Sequence, residues 1–257
     1  MSFRLSPRDM SGVTILAENY GAPMDLVAEM LEVSINRAYR ISAKWAAAKL
    51  ISSKRIRPVP GPSWIFPTKS SAEALLGRPV RYWVPTPKMA AHTKAVLQLR
   101  LALTGTDLDR WVSERLLRSE SGPVKSGESR PHIHDGRYFT SAGDLWAVEV
   151  ELTAKSIAAA RTSVFQALRV AQTADCTGLT YYCRGEAVKS VVRTAAKGLD
   201  TATTELRLVD FDEFLAKQKA ESSLPDLRPG LRVIEGGASD HEIPQVSDPN
   251  EGKAVGS

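Results

Sequence analysis

His132-Ile-His-Asp135-Gly, followed by Asp144-Leu-Trp-Ala-Val-Glu149-Val-Glu151-Leu-Thr-Ala-Lys155, is the stretch on which the reading of this chain turns. Trp146, Val148 and Val150 alternate with Ala147, Glu149 and Glu151, the period of a β-strand, so both glutamates share one face. Ser141-Ala-Gly143-Asp144 supplies turn residues between this strand and one that begins near Asp135, and the two read as a hairpin. Such a hairpin brings Asp135 across from the Glu149 and Glu151 side. Three carboxylates then converge, with Lys155 one helical turn beyond Glu151. Ionised carboxylates side by side repel unless a cation lies among them. Mg²⁺ or Mn²⁺, which suit carboxylate and water ligands, match the arrangement, with Asp135, Glu149 and Glu151 as metal ligands. With Lys155 placed to orient water or to stabilise developing charge, the set has the parts of metal-assisted phosphodiester hydrolysis. The plainer reading is a half-exposed strand with solvated acids and a Glu151–Lys155 surface pair worth under ~1 kcal/mol.

The spaced Asp…Glu-x-Glu on a hairpin followed by a helix resembles the PD-(D/E)XK nuclease fold. The run His134-Asp-Gly…Ala147-Val-Glu-Val-Glu-Leu-Thr-Ala-Lys155-Ser resembles the plasmid replication-relaxation proteins and related winged-helix regulators of actinobacterial mobile elements. The resemblance spans roughly residues 10 to 215. It implies an αβββαβ domain acting on DNA, with Asp135, Glu149, Glu151 and Lys155 as catalytic residues. Where the usual motif has the lysine of Glu-x-Lys this chain has Glu151, and Lys155 is the substitute at hand. The family's helix before the first strand can lend a further acidic residue, for which Glu114 leads and His92 stands second. Gln166, in the helix after Lys155, is the family-like accessory, and Arg161 and Arg169 of that helix are expected to face the site.

Charge distribution points the same way for the other half of the chain. The net charge is +5 over 257 residues. Residues 1–118 carry 18 Lys+Arg against 9 Asp+Glu, whereas 119–257 carry 16 against 20. The basic amino-terminal half favours a polyanionic partner. No apolar run approaches the ~20 residues of a membrane span, and the first residues lack the apolar core of a signal peptide, so no membrane partner and a cytoplasmic location are expected. Cys176 and Cys183 fit no metal-ligand spacing and read as buried, reduced thiols.

In the basic half, helices are expected over 7–19, 23–31 and 35–50, followed by two short strands over 51–58 and 64–68 joined by Val59-Pro-Gly61-Pro-Ser. Helix–helix–helix–hairpin is the order of a winged helix-turn-helix. In it Ser34, Asn36, Arg37, Arg40 and Lys44 meet the major groove of double-stranded DNA, and Lys54, Arg55 and Arg57 reach its backbone from the wing. Residues 76–91 read as a linker containing a strand over Val80–Val84. A helix is expected from His92 to Leu103 and a strand-like segment over Leu108–Leu117. Residues 119–130 are a polar loop whose Lys125 and Arg130 are near enough to the hairpin to touch nucleic acid. After Lys155, helices over 156–173, 186–199 and 212–220 alternate with strands over 179–183 and 205–209. The fold class is therefore mixed α+β: a winged helix-turn-helix over 1–75, a PD-(D/E)XK-like α/β domain over 92–220, and a disordered tail over 221–257. Three functions follow as expectations. The first is a DNA-binding protein of a plasmid, phage or integrative element with a Mg²⁺-dependent nuclease-like domain, acting in phosphodiester hydrolysis or in DNA relaxation and replication. The alternative is a transcriptional or replication regulator whose nuclease-like domain is inactive and serves for dimerisation, as in a homodimer, or for DNA support. The third is a protein-interaction module with neither activity.

Overall fold

Ser6 starts the first helix, α1 (Pro7–Glu18): its hydroxyl accepts from the Asp9 N–H while the Asp9 carboxylate accepts from the Ser6 N–H, a reciprocal cap with Pro7 in the first turn. The computed structural model describes residues 5–122 and 131–222. After α1 come a two-residue strand β1 (Ala22–Pro23), α2 (Met24–Met30) and α3 (Ile35–Ala47). Gly21 adopts φ +153°, and a Cβ there would stand 2.6 Å from the Ile65 carbonyl oxygen; only glycine lets the chain run this close to β2 (Trp64–Ile65). The two strands expected over 51–58 and 64–68 are reduced to β2 and the single bridges Ile51↔Pro67 and Ile56↔Trp64. The partner of β2 is β1, antiparallel. Two residues are too few for any periodicity to reveal. Val13, Leu16, Leu26, Val27, Leu31, Ala38, Trp45 and Ile65 form the core of this region, and the buried Trp45 indole donates to Asp9 at 3.0 Å.

Helix α4 (Lys69–Leu76) ends on Gly77 in the left-handed region. Val80–Val84 forms no strand, contrary to expectation. The Arg81 carbonyl instead accepts from Arg115, and Trp83 packs against Tyr20 and Trp64. Helix α5 (Pro87–Thr104) begins at Pro87 rather than His92, because proline is well placed in a first turn. The strand-like reading of Leu108–Leu117 also needs correction: β3 (Trp111–Ser113) stops where Ser113 caps α6 (Glu114–Glu120), its hydroxyl accepting from Leu116 N–H.

The rest follows the expected alternation: β4 (Gly136–Phe139), β5 (Leu145–Glu151), α7 (Ile157–Thr173), β6 (Gly178–Cys183), α8 (Glu186–Ala195), β7 (Glu205–Asp210) and α9 (Phe211–Ser222). The molecule is mixed α/β, with one five-stranded sheet in the order β3-β4-β5-β6-β7. β3, β4 and β5 form an antiparallel meander, and β5, β6 and β7 are parallel. One core, with Ala147, Val164, Leu168, Leu179 and Val192, lies under α7 and α8. The other, with Leu99, Trp111, Val148, Val150, Tyr182 and Phe211, lies under α5 and α9. Because helices cover both faces, β5 is buried from Trp146 to Val150, and the half-exposed strand considered above does not occur. Cys176 and Cys183 are buried and free. The described residues belong to one compact unit. Among the described residues no helix is long and apolar enough to cross a membrane. Lys125 and Arg130, and the tail beyond Ser222, lie outside the described residues.

Candidate functional site

Two surfaces carry the sequence-predicted residues. On α3, burial of Ala38, Ser42 and Trp45 turns the opposite face outward. Asn36, Arg37, Arg40 and Lys44 are all exposed, as are the small Ala43 and Ala47 of the same helix. Ser34 is the cap residue of α3 but its hydroxyl makes no capping bond. Lys54 and Arg57 are exposed on the segment that follows. Among the described residues none of Arg37, Arg40, Lys44, Lys54 and Arg57 has a carboxylate partner. Arg55 behaves differently from the wing residue expected. Its guanidinium donates to the Tyr39 carbonyl at 3.3 Å and the Ser42 hydroxyl at 2.9 Å, and lies 4.9 Å from the Tyr39 ring centre, so it props the segment on α3.

The second surface lies where the β4–β5 register runs out. Gly136 pairs with Val148, and Asp135 continues past it to accept the Val150 N–H at 2.8 Å through Oδ2. Its Oδ1 meets His92 Nε2 at 2.8 Å. Glu149 Oε1 meets His132 Nε2 at 2.7 Å, and Glu151 meets Lys155 Nζ at 2.5 Å. Each of the three carboxylates therefore has its own base. Burial works against a charged His92, but the hydrogen bond and charge of Asp135 outweigh it and raise its pKa to about 9, making it a cation at neutral pH. Burial likewise opposes a charged His132, and Glu149 again prevails, so that imidazole is raised. Burial pushes the Glu149 carboxyl up, the His132 hydrogen bond draws it back, and the Asp135 charge pushes it up again; the net direction is upward.

These pairs bear on the electrostatic argument for an ion. His92, His132 and Lys155 offset part of the repulsion among Asp135, Glu149 and Glu151, while the Asp135 charge still pushes the Glu149 carboxyl up. Among the described residues the metal-capable group whose ligand atoms lie within 4.8 Å of one another is instead His132, His134 and Glu149. His134 fits such a role poorly. Its Nε2 donates to the Ala167 carbonyl at 2.9 Å and its Nδ1 accepts from Arg137 Nε at 3.2 Å, so neither nitrogen is free. The donor set as arranged fits acid–base pairing better than a metal.

Glu114 and His92 exchange rank: His92, on α5, touches Asp135, while Glu114 pairs with Arg118 one turn along α6. Both line a cavity of about 270 Å³ with Glu18, Tyr20, Lys88 and Asp135. Gln166, Arg161 and Arg169 stand exposed on α7 along a groove that His132 also lines. The sequence motif by itself assigns no role to His132 or His134. The His-x-His spacing beside Asp135 was the available signal, since alternate residues of an extended segment point to one side. Comparison of the chain with protein-family models, with characterised proteins and with solved structures found no match.

Proposed function

We propose that this chain is a duplex-DNA-binding protein of the kind it resembles, a replication or transcription regulator of a mobile element. In this reading residues 1–75 form a winged helix-turn-helix that presents α3 to the major groove, and the five-stranded half is a nuclease-like domain that has exchanged its metal for bases and supports the bound DNA. The observation that carries it is the α3 face: five unpartnered cations on α3 and the segment after it, set around small side chains that allow close approach to a groove. Unpaired cations are what phosphate contacts require, since each releases a counterion on binding. The order α1, β1, α2, α3, bridged segment, β2 supports the winged-helix assignment. The order α5, antiparallel β3-β4-β5, α7, β6 supports the nuclease-like one, with α6 inserted after β3. The test is a titration of labelled duplex DNA with the whole chain at several salt concentrations. Replacing Arg37 and Arg40 by alanine is expected to weaken binding and to flatten the salt dependence by about 0.9 in the log–log slope per lost contact. Equal affinity of wild type and double variant at low salt would refute the assignment.

A second reading, Mg²⁺-dependent phosphodiester hydrolysis, is favoured by the gathering of Asp135, Glu149, Glu151 and Lys155 at one end of the hairpin. Mg²⁺ commonly uses one or two carboxylates and completes its shell with water; Asp135 and Glu149 are the two that would hold it, after His92 or His132 yields. Incubating supercoiled plasmid with the protein and Mg²⁺ or Mn²⁺ separates the readings. Nicked or linear product that disappears in Glu149→Gln supports hydrolysis, and unchanged plasmid supports the regulator.

A further inference from the structure

We infer that the outward face of α7 is a binding site for single-stranded nucleic acid, distinct from the duplex-binding face of α3. α7 is seventeen residues long and contains no aspartate or glutamate. Its inner face, Ala160, Val164, Ala167, Leu168 and Ala171, packs on the sheet. Its outer face exposes Arg161, Phe165, Gln166 and Arg169. Phe165 is 46% exposed, an aromatic ring left in water on a helix whose apolar needs are met on the other side. Neither Arg161 nor Arg169 has a carboxylate partner among the described residues. The Arg169 guanidinium lies 5.7 Å from the Phe165 ring centre.

These residues line an open groove of about 670 Å³ that Pro131, His132 and Leu199 also line. At 1.5 Å rise per residue, Arg161 and Arg169 stand ~12 Å apart along the helix with Phe165 midway. A ring flanked by two cations is the combination that holds a single strand: bases stack on the aromatic face and phosphates meet the guanidinium groups, without regard to sequence. Duplex DNA keeps its bases stacked inside and offers this ring nothing. An acidic peptide would use the arginines but has no base to lay on Phe165. His132 lines the groove and also binds Glu149, so a strand lying here runs up to the acid–base cluster.

The inference goes beyond the duplex reading and stands or falls separately. The experiment is fluorescence anisotropy of a labelled oligothymidine with the full chain at low salt, with wild type, Phe165→Ala, Phe165→Trp and Arg161→Gln/Arg169→Gln. Wild type is expected to bind. Phe165→Ala should weaken binding at least about fivefold, Phe165→Trp should restore it, and the double arginine variant should lower the log–log salt slope by about 1.4, at about 0.7 per contact. Duplex affinity of the Phe165 variants should be unchanged, whereas Arg37→Ala/Arg40→Ala should lose duplex and keep oligothymidine. Phe165 is half-exposed and outside all three cores, so its replacement leaves the melting curve as it was. No binding of oligothymidine by wild type, or binding that salt removes but Phe165→Ala does not alter, overturns the inference, the latter result marking a surface that attracts any polyanion.

Discussion

Replacing His134 by glutamine should remove an acid sensitivity built into the sheet. The His134 imidazole is fully buried, donates to the Ala167 carbonyl, and accepts from Arg137. Protonation would place an N–H against the Arg137 N–H and a cation beside the guanidinium. Burial first, and the charges of Arg137 and His132 after it, hold its pKa down at about 4, against an ordinary value of 6.5. Between pH 6.5 and 4 the unfolded chain binds a proton at this site that the folded chain refuses, so stability is complete above pH 6.5 and falls as the pH is lowered. At ~1.4 kcal/mol per pH unit the full interval amounts to roughly 3 kcal/mol, or about 6–12 °C in melting temperature for a protein of this size. Glutamine can donate to Ala167 and accept from Arg137 but does not titrate. The assay is urea unfolding of both proteins at pH 7.5, 6, 5 and 4. The difference in unfolding free energy, wild type minus variant, should be flat above pH 6.5 and should fall by roughly 3 kcal/mol by pH 4. Taking the difference cancels the opposing contribution of Glu149, whose raised pKa acts in an overlapping range. A difference independent of pH from 7.5 to 4 would show that His134 accepts its proton in place, and the burial argument would fail.

Three further outcomes are expected. Gly178→Ala should lower the melting temperature by several degrees: its Cβ would stand 2.5 Å from Trp146 Cη2, and Trp146 is held from outside by Arg207 at 3.9 Å, an overpacking cost of about 1–3 kcal/mol. An unchanged melting curve would mean the indole moves freely. The His92–Asp135 pair should give wild type a stability that is full below pH 6.5 and is lost as the pH rises to about 9, because the folded state holds its proton longer. The half-exposed imidazole is screened by solvent, so the effect is modest; melting curves at pH 6, 7.5 and 9 should converge for wild type and His92→Gln at the alkaline end, and parallel profiles would refute the pairing. Arg115→Met should cost about 2–4 kcal/mol in denaturant unfolding, since the buried guanidinium donates to the Ala17 carbonyl at 2.6 Å and to the Arg81 carbonyl at 2.9 Å, and both acceptors would be left without a partner. A loss below about 0.5 kcal/mol would show that water replaces it.

The parts of this protein that one segment's own chemistry determines were legible from the sequence. Ser6 and Pro7 begin α1 because hydroxyl, ring and helix start lie within three positions. The alternation from Trp146 to Glu151 gives β5, and the Thr140–Asp144 turn, with Gly143 at φ +91°, sets Asp135 beside it. The exposed cations of α3 follow from the spacing of Ala38 and Trp45. What tertiary structure alone decided are relations between segments far apart in the chain. Ala22–Pro23 is a strand only because Gly21 lets it lie on Trp64–Ile65. Arg55 is a prop and not a free contact because Ser42 and Tyr39 happen to face it. The charge balance of the site is the clearest case: the carboxylates were visible as a group, but their partners come from α5 for Asp135, from the segment before β4 for Glu149, and from the turn after β5 for Glu151. Repulsion among like charges can be inferred from one hairpin, whereas its relief depends on which bases the rest of the fold brings within hydrogen-bonding distance.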